Sequence, residues 1–309
     1  MNSKLNSRLI CTAVALLALS SLALHAQTPP LTAPASPSTP AAPAVTLRYK
    51  FAVGQVHRYQ YDMAMDMLMQ TGQTGAGIPI NMTMQMVMRQ TVKSIRPADG
   101  AATLTTQIES MHMSRGGQEM PLPEVQQEKM KQPFTQVMLP TGKILSMEAP
   151  GLSGMGGPGM DFSKGMFGGL SALPDGPVKV GDTWSSAGTA AMMGLDIASA
   201  STLAALTPTL ATIQSKQTGT IDKTITQGTP VPMKMTGQIA GQASQVFDTS
   251  AGAIQSAKGT TSADMTMTFL HAAGEATPPG MPSAMKMQMQ MKFMMQRLSD
   301  TATPAAPVQ

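Results

Sequence analysis

The sequence predicts a mainly β protein. We expect antiparallel curved sheets, half-barrel or sandwich-like, in two similar units with few short helices. Apolar and polar side chains alternate along the stretches 57–70, 81–90 and 285–296, in which methionine supplies most of the apolar positions. A period of two is typical of a strand with one buried face, whereas a helix has a period of 3.6. Turn residues separate such stretches, which favours hairpins and antiparallel pairing.

The first half of the chain contains most of the clear signals. The polar and glycine-containing segment 71–79 predicts a loop, and Pro97-Ala98-Asp99-Gly100 predicts a turn. Residues 121–132 are the best helix candidate, because a proline lies near their start and no β-branched run follows. The strands predicted here are 45–52, 56–70, about 80–96 and 101–113, followed by a hairpin over 134–147 that turns at Thr141-Gly142.

The predicted strand 101–113 contains a conflict of phase. In a regular strand Ile108 and His112 share one face, which places Met111 and Met113 on the other. A bulge near Glu109 or Ser110 would return the methionines to the apolar face. Alternatively, both faces of this strand are covered, and the sequence leaves the two possibilities open.

The second half begins with 173–184, which returns the chain to β structure and carries Trp184, the only tryptophan. Residues 199–214 are ambiguous between strand and helix, although Pro208 argues against one continuous helix. Strands are predicted at 233–247, 252–269 and 284–298. The order of landmarks repeats that of the first half, with Val180-Gly181 corresponding to Val53-Gly54. This similarity indicates a pair of related β units.

The N-terminal segment predicts export. Lys4 and Arg8 precede an apolar stretch that is too short for a membrane span, so residues 1–26 are interpreted as a signal peptide. Cleavage there would remove Cys11, the only cysteine, and lower the net charge from +4 by two. The expected location is the periplasm, the outer membrane or the extracellular space. The predicted segments are 1–26 signal peptide, 27–44 Pro/Ala-rich disordered linker, 45–150 first β unit, 151–172 Gly/Met-rich loop, 173–298 second β unit and 299–309 disordered tail.

Several landmarks occur in a recognisable order: LRYKFAVGQVHRYQYDMAMDM, the alternating-methionine strands, FTQVMLPTGKILSMEAPGL and LPDGPVKVGDTW. Together they resemble a group of secreted or envelope-attached bacterial proteins catalogued only as a domain of unknown function. The resemblance covers about residues 46–298. It implies an exported β fold and carries over no catalytic residue.

The mature sequence offers little for catalysis, so no catalytic residue and no cofactor are assigned and the protein is expected not to be an enzyme. It has no thiol, and its histidines, His57, His112 and His271, are far apart and in no ligand spacing. The glycines of 154–159 have dinucleotide-motif spacing but no surrounding βαβ unit. A modest net charge and the absence of a basic aromatic pattern argue against nucleic acid as a partner. After cleavage no membrane-spanning segment is expected.

The 31 methionines are the unusual feature. Methionine is first of all a flexible core residue. A methionine-lined interior also suits apolar or lipid-like ligands, because thioethers repack around varied shapes. The sequence therefore favours a non-catalytic envelope protein that binds such ligands or has a structural role. The alternative is a soft-metal protein that binds Cu(I) through Met111, His112 and Met113, with Met82 or Met84 from the neighbouring strand.

Overall fold

We describe the protein from a computed structural model. The described residues are 44–71, 77–121, 123–149, 172–190, 195–226, 232–270 and 283–299. All of them belong to one compact unit, residues 42–309. The predicted signal peptide and nearly all of the predicted linker, Gly/Met-rich loop and tail lie outside the described residues and stay predictions.

The described residues form twelve strands and one helix. Most strands are long because the alternation of apolar and polar residues continues over many positions without an interrupting proline. The elements are β1 (Val56–Thr71), β2 (Ile78–Ile95), β3 (Ala102–Arg115), β4 (Gln118–Glu119), α1 (Glu124–Lys131), β5 (Phe134–Met138), β6 (Ile144–Glu148), β7 (Thr183–Ala190), β8 (Leu195–Leu206), β9 (Leu210–Ile225), β10 (Met233–Asp248), β11 (Ala253–Phe269) and β12 (Ala284–Leu298).

The strands form one antiparallel sheet in the order β6-β5-β3-β2-β1-β12-β11-β10-β9-β8-β7, with β4 paired to β3. The predicted mainly β, antiparallel class is confirmed. The strands of the two expected units share this one sheet and meet where β1 pairs with β12. A single sheet corresponds to the half-barrel form, whereas a sandwich requires two packed sheets.

The sheet is strongly curved. In the sheet order β5 and β7 are nine strand positions apart, which would be about 43 Å in a flat sheet. Residues 172–173 nevertheless contact both places: Leu173 donates its N–H to Thr141 O in the β5–β6 turn, and Trp184 Nε1 of β7 donates to Ala172 O, each at 2.8 Å. The sheet therefore curls until these two regions approach each other at one end.

A segment at residues 45–51, which we call the strap, crosses that end of the sheet. Tyr49 N–H donates to Pro140 O at 2.7 Å and Lys50 N–H donates to Gly252 O at 3.0 Å. The strap thus links the β5–β6 turn to the β10–β11 turn. Leu47 at its centre is completely buried. The prediction of a strand at 45–52 is wrong, because only Val45 forms a β-bridge, to Val178, while the other backbone groups named here bond to turns.

The ambiguous segment 199–214 consists of strands. It contains the end of β8 and the start of β9, and Pro208 lies in the turn between them. That position suits proline, since a turn needs no N–H from it. The predicted helix at 121–132 is confirmed in a shorter form, Glu124–Lys131, whose Met130 is buried against the sheet.

The phase conflict in β3 is resolved by a bulge. Val87 of β2 lies opposite Ser110 and the next residue, Met88, lies opposite Ile108, so Glu109 is the extra residue. From this point Met111 and Met113 share a face with Ile108. The bulge that the sequence suggested near Glu109 or Ser110 is therefore present.

Candidate ligand-binding face

One face of the curled sheet, which we call the inner face, carries most of the methionines. It is the face of Tyr59, Tyr61 and the methionines of β1 at odd positions. Strand pairing places methionines of β2 and β12 directly opposite those of β1. The pairs on this face are Met63↔Met84, Met65↔Met82, Met65↔Met291, Met67↔Met289 and Met69↔Met287.

Burial divides the inner face into packed regions and a less covered strip. One buried cluster contains Met84, Met86 and Met88 together with Met130 of α1. Another contains Met235, Met265, Met287 and Met289 together with isoleucines of β8–β10. The β1 methionines Met63, Met65, Met67 and Met69 are half-buried: the first packs against the former cluster and the other three against the latter. We call these four residues the β1 methionine strip.

The strip is uncharged, whereas the opposite face of the same strands is polar. Asp62 accepts hydrogen bonds from the amides of Gln60 and Gln85, and Asp66 accepts one from Asn81. Because both carboxylates alternate with the strip residues, they lie on the other side of the sheet.

The strap end of the inner face is aromatic and closed. Tyr49 stacks parallel to Phe51, with ring centroids 6.1 Å apart, and meets Phe247 edge-on at 5.3 Å. Burial raises the pKa of Tyr59 to about 12, and it also raises the pKa values of Tyr49 and Tyr61. A cavity of about 20 Å³ lies beside these rings, lined by His57 and Gln90 among others. A space of that size holds one water molecule, so side chains fill this end of the inner face.

The structure separates the residues that the sequence proposed as a metal site. Met111 and Met113 lie on the inner face, half-buried beside Met84 and Met86. His112 lies on the opposite face, 57% exposed, with Nδ1 3.7 Å from a Glu119 carboxylate oxygen. Consecutive residues of a strand point to opposite faces, so the imidazole and the two thioethers do not converge. Of the two additional methionines suggested, Met84 pairs with Met113, whereas Met82 pairs with Arg115.

The described residues contain no group of three His, Cys, Asp or Glu side chains placed to hold a metal ion. His57 lies at the strap end of β1, and its ring is 6.1 Å from that of Tyr59. His271 lies outside the described residues. In the part of the chain that the structure describes, no helix has the length and hydropathy of a membrane span.

Sequence reasoning missed the small and polar part of the inner face. On β8 and β9 this face carries Ser199, Ser201 and Ser215, all buried, and the hydroxyls of the last two are hydrogen-bonded at 2.8 Å. On β10 and β11 it carries Gly241 and Gly259. A Cβ on Gly259 would lie 2.5 Å from the Phe293 ring, so the absence of a side chain there makes room for the aromatic ring.

Comparison of the sequence with protein-family models and with curated proteins finds no match. Among solved structures, one described as "lipid-protein interactions in lipovitellin" matches with a TM-score of 0.48 and 12% identity. That match covers 83% of this chain, which spans only 27% of the lipovitellin chain. OpdL of Pseudomonas aeruginosa matches with a TM-score of 0.22 and 9% identity, over 79% of this chain and 99% of the other. OccK7 (OpdD) of the same species matches with a TM-score of 0.20 and 7% identity, over 80% and 99%. Each TM-score is below 0.5, so these similarities establish no relationship.

Proposed function

We propose that this protein is exported and binds apolar or lipid-like ligands on its inner face, without catalysing a reaction. The observation that carries the proposal is the β1 methionine strip, which lies half-buried between two packed clusters. Apolar surface that is only half-buried is available to an apolar ligand at a low desolvation cost. Export follows from the predicted signal peptide, and it implies the periplasm, the outer membrane or the extracellular space.

The dimensions and chemistry of the strip suit an acyl chain. From Met63 to Met69 the strand advances six residues, or about 20 Å. The acyl chains of one membrane leaflet extend over about 15 Å, half of a hydrocarbon core. The strip residues carry no charge that would need a partner, and thioethers adapt to ligands of different shape. These properties favour the binding of varied apolar chains over the binding of a single rigid ligand.

The absence of catalysis is part of the proposal. It is supported by the sequence, since cleavage of the signal peptide would leave no thiol and the histidines have no nucleophile or metal-ligand spacing around them. The absence of catalysis is also consistent with the polar face of the sheet, where side-chain amides donate hydrogen bonds to Asp62 and Asp66. Neither carboxylate lies on the inner face.

The test is a binding experiment with a matched pair of variants. Met67→Gln places an amide of similar length in the strip, whereas Met294→Gln makes the same change on the opposite face, where Met294 is 49% exposed. We expect a fluorescent fatty acid to bind the wild type and Met294→Gln, and to bind Met67→Gln much more weakly. Circular dichroism of all three proteins checks that each is folded.

A second measurement uses protein purified from its native host. Mass spectrometry of an organic extract should find lipid at a defined ratio to protein. A clean extract together with equal fatty-acid binding by the two variants, or with no binding by the wild type, would contradict the proposal. Such a result would favour a structural role, in which the methionines serve only as core.

A further inference from the structure

Strand pairing places methionines in rows of three on the inner face. Each row crosses three neighbouring strands, and each pair within it lies directly opposite. Among the described residues the four rows are Met63–Met84–Met113, Met82–Met65–Met291, Met69–Met287–Met265 and Met285–Met267–Met235. The two rows that contain Met65 and Met69 cross the pairing of β1 with β12, and the sequence alone does not reveal this pairing because the two strands are far apart in the chain.

The row of Met65, Met82 and Met291 differs from the others in burial. All three of its side chains are half-buried, whereas every other row contains at least one buried methionine. Among the described residues, neither Met82 nor Met291 belongs to a buried hydrophobic cluster or packs against one. Within the described part of the chain, all three side chains thus remain partly exposed, although Met65 also packs against one cluster.

The geometry of the row allows three sulfurs to meet. In an antiparallel pair, opposite residues have Cβ atoms about 4.5–5.5 Å apart. Met65 is in the middle, with Met82 on one side and Met291 on the other. Methionine is unbranched and has three rotatable side-chain bonds, so the outer two side chains can lean toward the central one. The polar neighbours of the row are Arg115, opposite Met82, and Thr261, opposite Met291.

We propose that Met65, Met82 and Met291 form a three-thioether binding site for Cu(I). Thioethers are soft, neutral donors that select Cu(I) over hard cations such as Mg²⁺ and Ca²⁺. No carboxylate or imidazole takes part, so the site would not favour zinc. Arg115 is exposed, so solvent screens its charge. This site replaces the combination of Met111, His112 and Met113, whose side chains lie on opposite faces.

The inference is independent of apolar ligand binding, and leucine variants separate the two. Leucine keeps the volume and apolar character of methionine at a usual cost below about 1.5 kcal/mol, but it has no sulfur. The triple variant Met65→Leu, Met82→Leu, Met291→Leu should therefore lose Cu(I) binding. The double variant Met82→Leu, Met291→Leu, which leaves the β1 methionine strip unchanged, should lose Cu(I) binding and keep fatty-acid binding. The matched control is Met69→Leu, Met287→Leu, Met265→Leu, which removes a neighbouring row of three and should keep Cu(I) binding.

The experiment is an anaerobic competition for Cu(I) with a chromogenic chelator. The wild type and the control variant should each withdraw one equivalent of Cu(I) from the chelator, and the Met65/Met82/Met291 variant should withdraw none. X-ray absorption of the copper-loaded wild type should show sulfur as the only near neighbour of the metal. The assignment is overturned if the wild type binds no Cu(I) or if both triple variants bind it equally. It is also overturned if only Met63→Leu, Met84→Leu, Met113→Leu abolishes binding.

Discussion

Glu109, the bulge residue of β3, forms an ion pair with Arg58 of β1, with its carboxylate oxygen 2.6 Å from the guanidinium. A second bond joins Arg58 Nε to the same oxygen at 2.9 Å. The pair spans β2, which lies between the two strands in the sheet. The ion pair therefore holds Glu109, the extra residue that turns Met111 and Met113 toward the inner face, in place.

Deletion of Glu109 should damage the fold much more than its substitution. Without the extra residue, either β3 pairs out of register or Met111 and Met113 turn outward, because a shift of one position exchanges the faces of a strand. Glu109→Ala keeps the bulge and loses only a largely surface ion pair, which is worth about 0–1 kcal/mol. Urea unfolding of the two proteins measures the difference. Equal stability of the deletion and the substitution would show that the bulge does not set the orientation of these methionines.

Gly252 should tolerate alanine less well than Gly54. Both have positive φ, 61° and 83°, but a Cβ on Gly252 would lie 2.5 Å from Lys50 N of the strap, whereas Gly54 has open space. Gly54→Ala should cost about 1 kcal/mol for the left-handed backbone alone. Gly252→Ala adds a steric clash and should also weaken the hydrogen bond from Lys50 N–H to Gly252 O. Thermal unfolding checks the order, and a Gly54→Ala protein as destabilised as Gly252→Ala would argue against a close strap contact.

Asp248 should contribute to stability above about pH 4 and lose that contribution as the pH falls to about 2. Hydrogen bonds from Ala251 N–H and the Ser250 hydroxyl, with the bond from Arg297, lower its pKa from 3.8 to about 2. Because the folded pKa is below the unfolded one, folding favours the ionised form, and this gain disappears on protonation. Asp248→Asn should therefore be less stable at neutral pH, by about 1 kcal/mol, and less sensitive to acid.

Urea titrations between pH 6 and pH 2.5 test this prediction. The control is Asp264→Asn on the exposed side of β11, which makes the same substitution away from the hydrogen bonds of Asp248. Asp99 also has a pKa lowered to about 2, by Arg96 first, so some acid sensitivity should remain in the Asp248 variant. Parallel curves for wild type and Asp248→Asn would contradict the assignment.

Gln245→Met should stabilise the protein. Gln245 is buried on the inner face, and its side-chain Nε2 has no hydrogen-bond partner among the described residues. A buried polar group without a partner costs about 1–3 kcal/mol, and methionine has a similar shape without that cost. Gln242→Met, on the exposed face of the same strand, should change the free energy of unfolding by less than about 0.5 kcal/mol. A Gln245→Met protein less stable than the wild type would indicate that the amide is satisfied.

The parts of the fold that the sequence predicted are those where apolar side chains alternate strictly. The β1, β2 and β12 strands were predicted within a few residues because their large thioethers mark the inner face at every second position. The turn at Gly142 followed from residue chemistry, and its φ of 82° agrees. The separation of His112 from Met111 and Met113 also follows from alternation, so the sequence contained the evidence against that combined site.

Other parts of the fold depend on burial and on contacts between distant residues, which a local sequence pattern does not show. On β8 and β9 the buried inner positions include Ser199, Ser201 and Ser215, which are too small and polar to signal a buried face. The strap alternates like a strand, yet its backbone bonds go to turns about 90 and 200 residues away. The row of Met65, Met82 and Met291 requires the pairing of β1 with β12, which joins the two ends of the described chain.

The central claim is that the β1 methionine strip faces inward and receives an apolar ligand. Residue-resolved mass spectrometry after mild peroxide treatment, with and without saturating fatty acid, tests it most directly, because oxidation of a thioether follows its accessibility. Without ligand, Met294 should oxidise faster than Met65, Met67 and Met69, and Met86, which is fully buried, should oxidise slowest. Fatty acid should protect Met65, Met67 and Met69 and leave Met294 unchanged. Equal oxidation of Met67 and Met294, unaffected by fatty acid, would contradict both the inward orientation and the proposed binding.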